Sequence, residues 1–187
     1  VGVVVLAGAT ALAVSAGNTP TPSPAPTPAP AVVSDVDPSS PEAQYVRRLC
    51  ESGDLLVDIS ESTPGTTVTG DPAVARQEFL DSTSRTISTV DIALVDYRYL
   101  QDNAPTPVVA TGFGLVIDEF TKARASLAEA RDVVEASEPL TAEAYSAGLQ
   151  HFVDASGNLA LAAQLVGQIE LPAQYQEAGS VEPACAP

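Results

Sequence analysis

A few residues of this sequence have types and spacings that could support chemistry. His151 is the only histidine, and Asp154 follows it by three residues, so both would lie on one face of a helix. Such a pair could begin a metal site. However, di-metal helical bundles need a Glu-x-x-His pair on each of two helices, which one histidine cannot supply. We therefore predict no metal site and expect His151 to be a surface or core residue.

Carboxylates on the predicted second and third helices suggest general acid and base catalysis, which needs two of them facing each other. No spacing singles out such a pair, and arginines on the same helices offer them salt bridges. The sequence also lacks the motifs of serine hydrolases, nucleotide-binding loops and calcium loops. We therefore expect no catalytic residue, no cofactor and no enzymatic activity. The carboxylates considered are Asp91, Asp96, Asp118 and Glu119.

The two cysteines, Cys50 and Cys185, lie far apart and lack C-x-x-C spacing. In an exported chain this pattern predicts one structural disulfide. Two free thiols in a cytosolic protein are the alternative. A bridge would close a loop of more than a hundred residues. The chain-entropy argument gives such a loop about 4 to 5 kcal/mol of stabilisation before strain is subtracted.

Charge narrows the range of partners. The chain has a formal net charge of −16, so it cannot neutralise phosphates and should not bind nucleic acid or anionic lipid surfaces. All eight Lys and Arg lie between Arg47 and Arg131, which leaves an acidic C-terminal third. That end is either a docking surface for a basic partner or a solvated face that keeps the domain soluble.

The first 40 residues predict a tether. Val1 to Gly17 (VGVVVLAGATALAVSAG) is apolar and uncharged, as in a signal peptide that is cleaved or a transmembrane helix that is retained. We adopt the retained anchor. Residues 18–40 form a linker rich in Pro, Thr and Ala, whose prolines favour extended polyproline II. Twelve such residues reach about 35 to 40 Å. Residues 41–187 should then form one domain.

Periodic apolar residues predict four helices, over about 41–60, 71–102, 108–137 and 141–170. Residues 82–92, rich in β-branched side chains, could also form a strand, but the length of the segment favours helix. Residues after Ala173 read as a tail. The fold class predicted is all-α, an up-down-up-down four-helix bundle after an anchor and stalk. The inward side chains predicted are Tyr45, Leu49, Leu56, Ile59, Val74, Phe79, Leu80, Ile87, Val90, Leu94, Tyr97, Leu100, Phe113, Val116, Ile117, Phe120, Leu127, Val133 and Val134.

Two features suggest protein contacts. Tyr97, Arg98 and Tyr99 adjoin the proline-rich corner near the end of the second helix, and these residue types anchor interfaces. Packing of one tyrosine in the core is the alternative. The fourth helix is rich in Ala and Gly, which permits close approach between helices. That closeness serves either packing within the domain or a partner helix.

Two resemblances bear on function. Leu12 to Gly17 (LAVSAG) resembles the lipobox of bacterial lipoproteins, but Asn18 stands where the lipid-bearing cysteine should be. The export segment, the stalk and the single lysine resemble small envelope proteins of actinobacteria. That resemblance implies an accessory subunit of a membrane complex, such as the cytochrome bcc-aa3 respiratory supercomplex.

We therefore expect a non-catalytic, membrane-tethered accessory or stabilising subunit of an integral membrane protein complex, with its domain on the extracytoplasmic (periplasmic) side of the cell membrane. The lipid bilayer would hold residues 1–17. The alternative is an envelope binding module for an apolar ligand or lipid. It predicts a cavity between helices lined by residues such as Phe113, Phe120, Phe152 and Leu159.

Overall fold

The computed structural model describes residues 37–61 and 70–185, with the side chains of 56–61 left aside. The described elements are α1 (Pro41–Glu61), α2 (Pro72–Asp102), α3 (Pro107–Glu135), α4 (Ala142–Val166), α5 (Ala173–Val181) and a 3-10 turn (Pro183–Cys185). None of the described residues forms a strand, which confirms the all-helical class. The predicted anchor, residues 1–17, and residues 18–36 of the linker lie outside the described residues.

Side-chain caps fix the starts of three helices. Asp71 accepts a hydrogen bond from the Ala73 amide at 2.8 Å, and Thr141 accepts one from the Ala144 amide at 3.1 Å. At α3, Thr106 plays the same role and Pro107 occupies the first helical position. A proline needs no amide partner at that position. The helix therefore starts at Pro107, one residue before the predicted start.

The helix ends differ more from prediction than the starts. Arg76 of α2 donates to the carbonyls of Val134 and Glu135 at 3.3 and 2.6 Å, which satisfies two end groups of α3. The fourth helix ends at Val166, four residues before the predicted end, with Gly167 at its C-cap. The predicted tail after Ala173 instead contains helix α5, so the described residues form one more α-helix than predicted.

Contacts between helices show how the chain folds back on itself. In each successive pair from α1 to α4, the contacts move toward the start of the second helix as they move toward the end of the first, so neighbours along the chain run antiparallel. Helix α5 instead runs parallel to α1. The antiparallel pairs are Tyr45–Leu100 and Arg48–Asp96 for α1 and α2, Asp91–Arg124 and Tyr97–Phe113 for α2 and α3, and Glu129–His151 and Val134–Gly148 for α3 and α4.

Helix α3 contacts α2 and α4 extensively, so it lies at the centre of the core. Most of the predicted inward residues are buried, but Val74 is 54% exposed, one position before the buried Ala75. The side chains of Leu56 and Ile59 lie outside the described set. Partly buried are Leu49, Leu80, Ile117 and Val133; buried are Tyr45, Phe79, Ile87, Val90, Leu94, Tyr97, Leu100, Phe113, Val116, Phe120, Leu127 and Val134.

Small residues on α4 serve packing within the domain. Gly148, Ala155 and Ala162 recur every seven residues and are all buried. A Cβ atom at Gly148 would lie 2.7 Å from Val134 Cγ2, so glycine is required for this approach between α3 and α4. The packing alternative for the Ala/Gly-rich helix is therefore the one observed on this face.

Candidate functional site

The predicted disulfide joins Cys50 of α1 to Cys185 of the 3-10 turn, with a Cα–Cα distance of 5.2 Å. Its geometry depends on α5, which carries the chain back along α1 to the level of Cys50. The prediction of a Cys50–Cys185 bridge is confirmed, whereas the residues leading to Cys185, predicted as a tail, include helix α5.

An ion pair reinforces the same junction. The Arg47 guanidinium donates to both carboxylate oxygens of Glu182, at 3.1 and 3.0 Å, and to the carbonyl of Pro38 at 3.3 Å. The hydrogen bonds from Arg47 hold the pKa of Glu182 below its ordinary value. A single side chain therefore links residues that enter the domain to residues near its C-terminal end.

Apolar contacts complete the junction. Tyr45 packs edge-on against Tyr175 with ring centroids 5.4 Å apart, and its hydroxyl donates to the Leu100 carbonyl at 3.0 Å. Burial, followed by the neighbouring Tyr175, raises the pKa of Tyr45. We call these contacts, Cys50–Cys185, Arg47–Glu182 and Tyr45–Tyr175, the α1–α5 clasp. The clasp fixes α5 against the first half of α1, at the end where the predicted linker enters.

The three residues of the predicted Tyr-Arg-Tyr contact do not share one surface. Tyr97 is fully buried between α2 and α3, where burial and the nearby Asp96 raise its pKa to about 12. Arg98 and Tyr99 are exposed. Burial removes Tyr97 from any surface contact in this fold, as the packing alternative anticipated. A partner contact at Arg98 and Tyr99 stays a prediction.

A second exposed feature includes Tyr99 and two apolar residues before it on α2. Ile92, Val95 and Tyr99 are 55%, 59% and 42% exposed and recur at three- and four-residue steps on α2. These three residues, here called the α2 outer stripe, lie opposite the buried face of α2. The Arg48 guanidinium carbon lies 4.1 Å from the Tyr99 ring centroid, in cation–π contact. The stripe residues recur with helical spacing in the sequence, but so do the buried residues of α2. Periodicity therefore does not distinguish the exposed face from the buried one.

The residues weighed for metal binding do not come together. His151 Nδ1 lies 3.2 Å from Glu129 of α3, whereas Asp154 accepts a hydrogen bond from Gln150 at 3.1 Å. In residues 37–61 and 70–185, no three His, Cys, Asp or Glu side chains are grouped closely enough to hold a metal ion. His151 therefore serves as a half-buried link between α3 and α4.

The carboxylates weighed for catalysis mostly form salt bridges. Asp91 pairs with Arg124 at 2.5 Å, Asp96 with Arg48 at 2.7 Å, and Glu119 with Lys122 at 2.6 Å. Asp118 is exposed. The first two pairs join neighbouring helices, α2 to α3 and α1 to α2. These carboxylates therefore help to set the positions of the helices.

A cleft of about 270 Å³ lies where α3 begins and α4 ends. The aromatic residues predicted to line a ligand cavity do not line this cleft, because Phe113, Phe120 and Phe152 are buried in the core together with Leu159. Sequence reasoning missed the cleft because its walls come from helix ends. Its lining residues are Val108, Val109, Gly112, Leu115, Leu165, Gln168, Ile169 and Glu170.

Two further findings bear on identity. Within the described ranges, no helix is both long and apolar enough to cross a membrane. Comparison of the chain with protein-family models, with curated proteins and with solved structures finds no match.

Proposed function

We propose that this protein is a non-catalytic, membrane-tethered accessory or stabilising subunit of an integral membrane protein complex, with its helical domain on the extracytoplasmic side. In this proposal residues 1–17 anchor the chain and residues 18–40 act as the stalk. Helices α1 to α4 form an up-down-up-down four-helix bundle. The antiparallel contacts between successive helices support that architecture, and α5 is added to it along α1.

The observation that carries the proposal is the position of the α1–α5 clasp. The Arg47 guanidinium donates hydrogen bonds both to the Pro38 carbonyl, near the start of the described residues, and to the Glu182 carboxylate, near their end. Three contacts of different kinds, covalent, ionic and aromatic, involve Cys50, Arg47 and Tyr45 in the first half of α1, which follows the stalk directly. In this proposal, the clasp holds together the end of the domain to which the stalk is attached.

The partner is proposed to be a protein complex. Exposed apolar side chains at the cleft, Val108 and Leu115, offer a contact surface to a protein. The best specific candidate is an actinobacterial respiratory supercomplex of cytochromes bcc and aa3. That choice rests only on the likeness of the N-terminal 40 residues and the overall composition to small actinobacterial envelope proteins.

Purification through a tag at Pro187 in mild detergent, followed by mass spectrometry, tests the proposal. We expect the chain in the membrane fraction together with subunits of one integral complex, in constant proportion. A Cys50→Ser, Cys185→Ser variant serves as a probe of the clasp and should recover less of that complex. Recovery of the tagged chain alone and monomeric would contradict the proposal.

The cleft favours a second candidate, a binding module for an apolar ligand. Its volume of about 270 Å³ lies near the lower end of typical small-molecule pockets, and its walls are mainly aliphatic. Lipid extraction of the purified protein would distinguish the two. A stoichiometric lipid lost on Leu115→Glu substitution favours the binding module, whereas co-purified subunits without such a lipid favour the accessory subunit.

A further inference from the structure

The α2 outer stripe is an exposed apolar surface on an otherwise strongly acidic protein. Ile92, Val95 and Tyr99 extend over two turns of α2 and are each at least 42% exposed. Clusters of large exposed apolar side chains mark interaction sites more often than scattered single residues do. We therefore expect a binding partner to cover the stripe, and the surrounding charges indicate the kind of partner.

The charges around the stripe balance, although the chain carries a net charge of −16. On one side Asp91 is paired with Arg124, and on the other Asp96 is paired with Arg48. These two pairs leave each flank neutral. A second acidic molecule could therefore approach this face without meeting the excess negative charge found elsewhere on the chain.

Two more charges lie at the ends of the stripe. Arg85 is exposed seven residues before Ile92, and Asp102 is exposed three residues after Tyr99. They lie about 25 Å apart along the helix, at 1.5 Å per residue. When two copies of such a stripe lie antiparallel, the positively charged end of each copy lies beside the negatively charged end of the other.

We propose that the α2 outer stripe is a self-association surface that pairs with the same surface of a second copy of this chain in antiparallel orientation. A two-fold axis between Ile92 and Val95 places Ile92 opposite Val95 of the second copy, and the reverse. The same register places Arg85 opposite Asp102 in both directions. Such a contact is isologous, as in most protein dimers.

Side-chain size agrees with this register. Ser88 falls opposite Tyr99 of the second copy, so a small side chain meets the largest one on the stripe, which lets the two helices approach closely. A contact along one helix per subunit lies below the roughly 1,200 Å² of stable interfaces, so the dimer is weak and reversible. The inference is independent of the proposed membrane role, because it uses only α2 and the charges beside it.

Sedimentation of the full chain in non-ionic detergent, from about 10 µM to about 1 mM, measures the association. We expect a monomer–dimer equilibrium for the unmodified chain. Ile92→Glu with Val95→Glu should raise the dissociation constant at least ten-fold. The matched control, Val153→Glu with Leu161→Glu, makes the same charge change on exposed apolar residues of α4 and should leave the equilibrium unchanged. A monomer at every concentration, or equal behaviour of the two variants, would overturn the proposal.

Charge exchange tests the register. Arg85→Asp and Asp102→Arg should each weaken the dimer by about three- to ten-fold, because each replaces two attractive pairs with repulsive ones. The double variant restores opposite charges and should recover the original affinity. Additive weakening in the double variant would contradict the antiparallel pairing. Circular dichroism of each variant checks that α2 remains folded.

Cross-linking distinguishes a second copy from any other partner. A mixture of the Ile92→Cys and Val95→Cys variants should form a disulfide-linked dimer under mild oxidation, as should Ser88→Cys mixed with Tyr99→Cys. The Ser88→Cys variant by itself serves as the control, because its position lies about 16 Å along the helices from the same position of the second copy. Equal yields from all three samples, or capture of a different protein at these positions, would refute self-association.

Discussion

Replacing Gly148 with alanine tests whether α4 needs glycine to pack against α3. A Cβ atom at this position would lie 2.7 Å from Val134 Cγ2, 3.0 Å from Phe79 Cζ and 3.3 Å from the Ala130 carbonyl oxygen. Two of these three neighbours belong to α3, and one is backbone. The new methyl group therefore forces α3 and α4 apart or displaces buried side chains.

Two effects of opposite sign determine the outcome. Alanine in place of a helical glycine gains about 1 kcal/mol of helix propensity. Inserting a methyl group into a packed core costs about 1 to 3 kcal/mol, and the 2.7 Å approach places this site near the upper end. We therefore expect Gly148→Ala to lower the free energy of unfolding by about 1 to 2 kcal/mol, by subtraction of these two terms.

Gly157→Ala is the matched control on the same helix. No heavy atom outside the local helix lies within 4 Å of a Cβ atom there. Only the propensity gain remains, so we expect stabilisation of about 1 kcal/mol and a rise in melting temperature of roughly 2 to 4 °C. Thermal and urea unfolding followed by circular dichroism measure both variants. A Gly148→Ala protein as stable as Gly157→Ala would refute the packing argument.

Three further predictions concern buried polar groups and the clasp. Tyr97→Phe should leave the free energy of unfolding in urea unchanged or raise it by about 1 to 3 kcal/mol, because among the described residues the buried Tyr97 hydroxyl has no hydrogen-bond partner. Tyr45→Phe should lower it by about 1 kcal/mol, because the Tyr45 hydroxyl donates to the Leu100 carbonyl. Replacing Cys50 and Cys185 with serine should cost about 5 kcal/mol for the loop of 135 residues, measured by guanidinium unfolding. Below pH 4.5, stability should fall as arginine-paired Glu182, whose folded-state pKa is depressed, becomes protonated, and Glu182→Gln should reduce that slope.

Each of these has a contrary result. Destabilisation by Tyr97→Phe equal to that by Tyr45→Phe would show that the Tyr97 hydroxyl is satisfied. Unchanged unfolding after loss of the disulfide would mean that the clasp does not restrain the unfolded chain. An acid unfolding profile identical in the parent and the Glu182→Gln protein would assign the acid sensitivity to other carboxylates.

The sequence predicts most of the helices because their starts are local. Asp71 and Thr141 each precede an apolar periodic run and cap the helix that follows, which depends on a few neighbouring residues. Helix α5 was missed because nine residues carry little helical signal by themselves. Its stability comes from tertiary contact with α1, through the clasp and the burial of Ala178.

Surfaces were harder to predict than helices. On α2 the buried residues and the outer stripe both recur at three- and four-residue steps, so periodicity alone does not say which face is covered. Tyr97 and Tyr99 illustrate this, because two residues of the same type and two positions apart end in the core and on the surface. The cleft could not be predicted either, since helix ends that are distant in sequence form its walls.

The Cys50–Cys185 bridge also changes what a break in the backbone would do. The bridge and the chain between the two cysteines form a closed covalent ring that contains α2, α3, α4 and α5. A protease that cuts once inside this ring, for example in the connection at residues 137–141, releases no fragment. The nicked protein should run as one species without reductant and as two pieces with it. Residues before Cys50 and after Cys185 would therefore stay joined after such a cut.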